Sequence, residues 1–446
     1  MGDRPAPRAE VRIRAVAAGG AGVGELPDGR VAFVHRTAPG DLARVEIMQK
    51  KARWARARLV ELLEAGEGRR EPLCRYYGRC GGCTLEHLHY EVQLHWKGRL
   101  VADALARIAG RPLREVPPVE ASPEEFRYRS RVSCHLRRVG RRVIAGFHEL
   151  EHPDRVVDVD GDCLLPEASV AAVWDGLRSA WGPTAERLPS GRELRLTLRR
   201  AARGVVLLIE GGQGEGRPAE LIQSVEGLIA IWHRARAGAA PRLLAGDEDV
   251  QDEWMGQRLR TGPTAFLQVN RAAGHRLHEA LVQEIGAPAG LRVVDAYAGV
   301  GSLGRRLAEQ GALVTAIELD EGAARAAQAD APDGFRVLVG RVEERLDEAF
   351  PADLVLLNPP RTGVPPGALA RVAASGVERV VYVSCDPATL ARDVARLGDA
   401  YYLASVRCFD LFPQTAHVET VAALRRVTSA RVTDAGARTG PPQEGC

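Results

Sequence analysis

Residues 291–329 read LRVVDAYAGVGSLGRRLAEQGALVTAIELDEGAARAAQA. A short apolar run closes on Asp295, a glycine loop and a helical spacing follow, and a second apolar run closes on Glu318. Apolar runs of this length separated by helical segments predict buried parallel strands joined by crossover helices. Downstream, DLVLLNPPR (353–361) and VERVVYVSC (377–385) continue the pattern as two further strands with a helix between them. Paired runs at 401–409 and 418–425 complete the region. The expectation for residues 276–427 is a Rossmann-like α/β domain, which binds ligands at the carboxyl edge of its strands.

Polar residues collect at that edge. Gly299 and Gly301 shape the loop after Asp295, Gly304 follows, and Glu318 is near the offset of a ribose-binding carboxylate. This pattern suits a nucleoside-bearing cofactor, S-adenosylmethionine or NAD; a tight turn and a solvated strand end would explain the same residues without one. In Asn358-Pro359-Pro360-Arg361 two prolines fix φ and remove two N–H donors, so the amide of Asn358 is presented on a stiff turn. Cys385 ends the next strand at the same edge, in VYVSCDPATLARD (381–393). A lone thiol there can be core filling, since free Cys is among the most buried residue types. Beside a cofactor loop and a presented amide, a reactive thiol is the stronger reading.

Upstream the grammar differs. Residues 8–65 hold short β-rich runs, Val11–Val16, Arg30–Val34 and Leu42–Gln49, broken by Pro27-Asp28-Gly29 and Pro39-Gly40, with a fourth run over 52–63. They predict a small β-barrel, either a nucleic-acid holder or a structural cap. Residues 66–275 read as a central α+β domain, with helices over 89–109, 167–181 and 218–233 and strands Val132–Leu136, Val143–His148, Leu194–Leu198 and Val205–Ile209. GGQGEG (211–216) reads as a loop, and the polar, Gly- and Pro-rich residues 428–446 as a disordered tail. The start, MGDRPAPRAEVRIR, has no apolar core of a signal peptide, and nowhere do 18 apolar residues run together, so a cytoplasmic location is expected; a monomer is expected as well.

The net charge of +3 decides nothing, but its distribution is uneven. Residues 1–60 carry 12 Arg and Lys against 6 Asp and Glu, and FRYRSRVSCHLRRVGRR (126–142) holds seven Arg, among them Arg127, Arg129 and Arg131, and no acid. Arg binds phosphate in a bidentate fork and stacks on bases, which suits a nucleic-acid partner; a compositional preference for Arg over Lys is the plainer account. Three of the eight cysteines fall in CRYYGRCGGC (74–83), a C-x5-C-x2-C cluster of the kind that binds metal. A fourth ligand is needed, and Cys163 in VDVDGDCLLPEA is the candidate; spacing leaves zinc and an iron–sulfur cluster both open.

From about residue 8 to 427 the chain resembles the S-adenosylmethionine-dependent RNA uracil-5-methyltransferases, in the branch with an N-terminal TRAM domain that includes 23S ribosomal RNA enzymes. AGVGELPDGRVAFV and APGD resemble TRAM, and CRYYGRCGGCTLEHLHYEVQLHWK resembles the family's iron–sulfur segment. The resemblance implies a [4Fe–4S] cluster on Cys74, Cys80, Cys83 and Cys163, with zinc the alternative occupant. FLQVN implies Gln268 at the cofactor and Phe266 at the target base; Asp295, Tyr297, Gly299 and Gly301 fall on the cofactor loop and Glu318 on the ribose ligand. SCDPATLARD implies Cys385 as nucleophile, and HVETVAAL implies Glu419 as general base, with Gln414 and His417 in the same signature stretch. Asn358 is expected to face cofactor and base, and Arg127, Arg129 and Arg131 to hold RNA.

The chemistry asks for this pair. A thiolate added to C6 of uracil makes C5 nucleophilic enough to take a methyl group, and a carboxylate must then remove the C5 proton. RNA as substrate, ribosomal in preference to transfer RNA, follows from the resemblance alone. An RNA cytosine-5-methyltransferase and a non-catalytic RNA-binding protein are the alternatives. The chain departs from the family where Asn358 replaces the usual Asp, where DAYAGVGSLG lacks a cysteine and a threonine, where the stretch after Glu318 is Ala-rich, and where Ser130 stands for Asn in YRSR.

Overall fold

The structure, a computed structural model, describes residues 7–329 and 331–427; the tail 428–446, expected to be disordered, lies outside the described residues. Two compact units are present. The first comprises residues up to Leu100, Pro118–Leu277 and Phe409–Val418; the second comprises Val101–Pro117, His278–Cys408 and residues from Glu419. Among the described residues no helix is long and apolar enough to cross a membrane.

In the first unit β1 (Arg8–Val16), β2 (Gly22–Glu25), β3 (Val31–Val34), β4 (Leu42–Lys50) and β5 (Trp54–Glu64) close into a barrel in the order β1-β2-β3-β5-β4. Strand alternation turns Val11, Ile13, Val34, Val45 and Ala55 into its core and sends Arg12 and Arg14 outward. α1 (Tyr90–Arg107) and the short β6 (Val119–Glu120) follow. A seven-stranded sheet is then built from β7 (Arg131–Val139), β8 (Arg142–His148), β9 (Val156–Asp158), β10 (Glu193–Ala201), β11 (Gly204–Glu210), β12 (Leu228–Arg234) and β13 (Arg242–Gly246), in the order β13-β12-β11-β10-β7-β8-β9. α2 (Ala168–Ala180) joins Val170, Trp174 and Leu177 to Leu196, Leu198 and Leu207 in one core. The hairpin β14 (Gln251–Trp254) and β15 (Gln257–Arg260) precedes α4 (Arg271–Ile285).

One expected element is corrected. Residues 218–233 are not a single helix: α3 covers only Pro218–Ser224, Gly227 takes φ +79°, and Leu228–Arg234 runs as β12, parallel to β11. Its LIAIWHR buries Leu228 and Ile231 in one core and Ala230 in another, and its β-branched and aromatic residues favour the pleated surface.

The second unit alternates β16 (Arg292–Ala296), α5 (Ser302–Glu309), β17 (Leu313–Glu318), α6 (Glu321–Gln328), β18 (Phe335–Val339), α7 (Val342–Arg345), β19 (Leu354–Leu357), α8 (Pro366–Ala374), β20 (Arg379–Ser384), α9 (Pro387–Leu397), β21 (Tyr401–Phe409) and β22 (Glu419–Arg426). Its strands lie in the order β18-β17-β16-β19-β20-β22-β21. The first five are parallel, with β16, β17, β19 and β20 buried on both faces and the edge strand β18 burying only Phe335, and β22 runs antiparallel to β20. Strand order reverses between β16 and β19, which makes the carboxyl ends of these two strands the switch point where such sheets bind ligands. Asp295 and Asn358 flank it.

Candidate active site and four-cysteine cavity

The carboxyl edge of the second unit is assembled from five strand ends. Asp295 is buried, and desolvation pushes its carboxyl up to about 7, against the pull of the Gly304 amide. Gly304 is required there, because an added Cβ would lie 2.8 Å from Asp295 Oδ2 and 2.9 Å from the Phe335 ring. Between them the loop turns through left-handed residues, Tyr297 at φ +65°, Gly299 at +60° and Gly301 at +72°. For Tyr297 that conformation is strained, and its hydroxyl is buried without a hydrogen-bond partner. Glu318, at the end of β17, accepts from Gly299 N at 2.8 Å and Asp320 N at 2.7 Å, which fixes the carboxylate beside the loop. Asn358 follows β19 directly, exposed, with its backbone N–H donating to Ala296 O at 3.3 Å.

Cys385 and Glu419 come from neighbouring strands. Ser384 on β20 pairs with Thr420 on β22, so the next residues outward in that register are Cys385 and Glu419. The half-buried Cys385 thiol is pushed up to about 11, first by desolvation and then by the Glu419 carboxylate. Glu419 is 5% exposed and is pushed up to about 7 by burial. The Arg361 charge opposes both shifts. Arg361 was legible as the end of Asn-Pro-Pro-Arg, yet nothing in the sequence paired it with both reactive groups.

The other expected residues belong to the first unit. Gln268 is buried with its side chain over Gly274, and Phe266 is 61% exposed. The YRSR stretch holds their loop: Ser130 N and Oγ both donate to Val269 O, and Arg131 donates to Ala265 O at 3.3 Å. Arg127 donates to Cys163 O at 2.8 Å, and Arg129 lies over the rings of Tyr128 and Phe412. Gln414 is fully buried at φ +68°; its side chain bonds Gln93, Arg70 and Glu125, and its carbonyl accepts from Thr84 N and Leu85 N. On the barrel, much of the basic charge is neutralised in place, by Arg12–Glu64, Arg14–Glu25, Arg44–Glu10 and Arg58–Glu46 pairs. No ion pair is formed by Lys51, Arg53 or Arg56 among the described residues; Arg56 lies over the Trp54 ring, which meets Phe33 edge-on.

Cys74, Cys80, Cys83 and Cys163 line one small cavity, walled by Tyr77, Phe147, Val159 and Leu165. Burial pushes the Cys80 thiol up to about 12 and the Cys163 thiol to about 11, and raises Cys83 and Cys74 as well. Four thiols in so apolar a space become thiolates only against a cation, so the donor set suits a sulfur-liganded metal group. Among the described residues no three His, Cys, Asp or Glu side chains are close enough to hold a single metal ion.

Comparison with known proteins adds to this geometry. Residues 8–60 match the TRAM domain, and residues 331–427 match the tRNA (uracil-5-)-methyltransferase family. A protein of Thermosynechococcus vestitus named as an uncharacterized RNA methyltransferase is 33% identical over 441 residues, covering 93% of this chain and 97% of its own length. The chain belongs to the S-adenosylmethionine-dependent RNA uracil-5-methyltransferases. A second relative of the same description, from Gloeobacter violaceus, is also 33% identical over 93% of this chain and 96% of its own. The crystal structure of the Pyrococcus abyssi tRNA (uracil-54, C5)-methyltransferase in complex with S-adenosyl-L-homocysteine superposes with a TM-score of 0.71 at 25% identity, over 93% of this chain and all of that one. The cofactor is therefore S-adenosylmethionine, in preference to NAD.

Proposed function

We propose that the chain methylates C5 of a specific uridine in 23S ribosomal RNA, with Cys385 as nucleophile and Glu419 as base. The observation that carries the reading is the β20–β22 register, which makes Cys385 and Glu419 successors to the Ser384–Thr420 pair at the ligand-binding edge. Bound S-adenosylmethionine supplies an electrophilic methyl group. Asp295, Tyr297, Gly299, Gly301 and Glu318 hold its nucleoside and amino-acid parts, Gln268 its methionine end, and Asn358 stands between it and the base. The Cys385 thiolate adds to C6, C5 takes the methyl group, and Glu419 removes the C5 proton. The C5–C6 double bond re-forms as the C6–S bond breaks. Phe266 receives a uridine turned out of its stack. Arg131 and the Lys51, Arg53 and Arg56 cluster beside Trp54 contact the RNA chain, with Arg127 and Arg129 completing that surface near the cysteine segment. Cys74, Cys80, Cys83 and Cys163 hold a [4Fe–4S] cluster.

Transfer RNA is the second reading, favoured by the names of the matched family and of the Pyrococcus structure. Mapping 5-methyluridine in RNA from a strain lacking the gene separates the two. Loss at one 23S position is expected; loss confined to transfer RNA supports the second reading, and an unchanged pattern in both overturns the proposal.

Asn358→Asp is expected to keep or raise kcat/KM, because a carboxylate accepts a stronger hydrogen bond than an amide from the same donor. A loss beyond about tenfold with folding intact would show a pocket built around the amide. The pH profile gives a separate check. Methyl transfer is irreversible and precedes proton removal, so kcat/KM senses the thiol and not the base. It should keep climbing with pH beyond 7 towards the Cys385 value of about 11. A plateau in kcat/KM from about pH 7, the Glu419 value, would instead place the carboxylate before methyl transfer.

A further inference from the structure

The turn after Asn-Pro-Pro is locked onto the helix that starts beside the nucleophile. α9 begins two residues after Cys385, where Asp386 caps it by accepting from Thr389 N at 2.7 Å. Three side chains on one face of α9 then grip consecutive groups of the turn. Thr389 Oγ1 donates to Arg361 O at 3.1 Å, Arg392 donates to Thr362 O at 2.8 Å, and the Asp393 carboxylate accepts from Val364 N at 2.9 Å. These positions are three and four residues apart, the spacing that shares a helix face. Gly363 seals the contact at φ +79°: an added Cβ would fall 2.3 to 2.4 Å from Arg392, Asp393 and Thr389.

Asp393 is the centre of this lock. It is fully buried and also accepts from Tyr382 Oη at 2.7 Å, Arg392 Nε at 2.9 Å and Arg396 at 3.2 Å. Tyr382 lies on β20 three residues before Cys385, so one carboxylate ties together the nucleophile strand, the helix after it and the Arg361 turn. A reacting thiolate beside an ionised Glu419 faces like-charge repulsion in a partly desolvated site. The Arg361 charge acts favourably on both groups. A guanidinium on an exposed turn would otherwise sample many positions, and holding its backbone reduces that freedom.

We propose that Asp393 is a positioning residue for the reaction, locking the Arg361–Val364 turn so that Arg361 faces Cys385 and Glu419. This rests on the reading of Cys385 as nucleophile. The test is the pH profile of Cys385 alkylation by iodoacetamide in the full chain, followed by peptide mass mapping, together with methyl transfer. Asp393→Asn should slow Cys385 alkylation at pH 8 about tenfold, equivalent to one pH unit in the thiol profile. It should lower kcat while the KM for S-adenosylmethionine stays unchanged. Arg361→Ala should give the same shift, and Asp393→Asn in that background should add nothing. Additive shifts, or an unshifted profile in Asp393→Asn, would overturn the proposal. Should Asp393→Asn fail to fold, Thr389→Val removes only the grip on Arg361 O and is expected to slow alkylation about threefold; an unchanged rate there also counts against it. If Cys385→Ala still methylates RNA, the nucleophile reading fails, and the inference with it.

Discussion

Cys385→Ala is expected to lower methyl transfer by about 10⁴-fold or more, since removal of a covalent nucleophile commonly costs this much. That is roughly 5.4 kcal/mol of transition-state stabilisation. The reason is electronic: without sulfur on C6, C5 of uracil is too weak a nucleophile to take the methyl group at a useful rate. The side chain is half-buried and follows the last residue of β20, so alanine should leave the strand and α9 in place. Thermal unfolding and S-adenosylhomocysteine binding should match the parent protein. Cys385→Ser should be nearly as inactive, because an alcohol in the same half-desolvated site stays protonated at neutral pH. Retained activity in either variant would return the thiol after VYVS to the status of core packing.

The second large effect concerns the first unit. Anaerobically purified protein is expected to be brown, with about four iron and four sulfide per chain, and Cys163→Ser should lose most of both. Cys163 joins the cavity from a loop far along the chain from Cys74–Cys83, so a group ligated by all four cysteines would act as a long-range cross-link. Metal binding free energy in such sites is largely folding free energy. The variant should therefore melt well below the parent, with the loss concentrated in peptides around Tyr76, Phe147 and Val159 by hydrogen exchange. Cys134→Ala is the matched control. Cys134 is buried in the core of the seven-stranded sheet and does not line the cavity, so its iron content should not change. Stoichiometric zinc without sulfide in the parent would contradict the cluster.

The α/β pattern was legible because Leu291–Glu318 and 353–385 repeat one local grammar, and the edge residues follow from strand ends alone. The barrel was legible from turn residues, although β2 was hidden in a glycine-rich stretch whose pairing with β1 and β3 decides its state. What sequence could not supply were partners distant in the chain. Residues 409–418 read as part of the C-terminal domain, yet they pack in the first unit. There Lys97 meets Asp410 at 2.6 Å with both side chains buried, Tyr128 Oη donates to Pro413 O, and Gln93 and Arg70 fix Gln414. The Arg-rich stretch was read as a surface for RNA, and its composition could not show that Arg127 also donates to Cys163 O or that Arg129 also lies over aromatic rings. The same limit applied to the barrel, where composition did not show which basic residues pair with acids, as Arg12–Glu64, Arg14–Glu25, Arg44–Glu10 and Arg58–Glu46 do.

In the proposed mechanism Cys385 and Glu419 act in sequence, the thiol before methyl transfer and the carboxylate after it. Glu419→Gln should still allow addition to C6 and methyl transfer, because neither step needs the base. With the C5 proton left in place the thiolate cannot be expelled, and a methylated RNA–protein adduct should accumulate. The direct measurement is a denaturing gel of Glu419→Gln and Cys385→Ala, each incubated with RNA and S-adenosylmethionine labelled in its methyl group. A labelled, slowly migrating band is expected with Glu419→Gln and none with Cys385→Ala. A folded, RNA-binding Glu419→Gln that turns over freely or forms no adduct would contradict it.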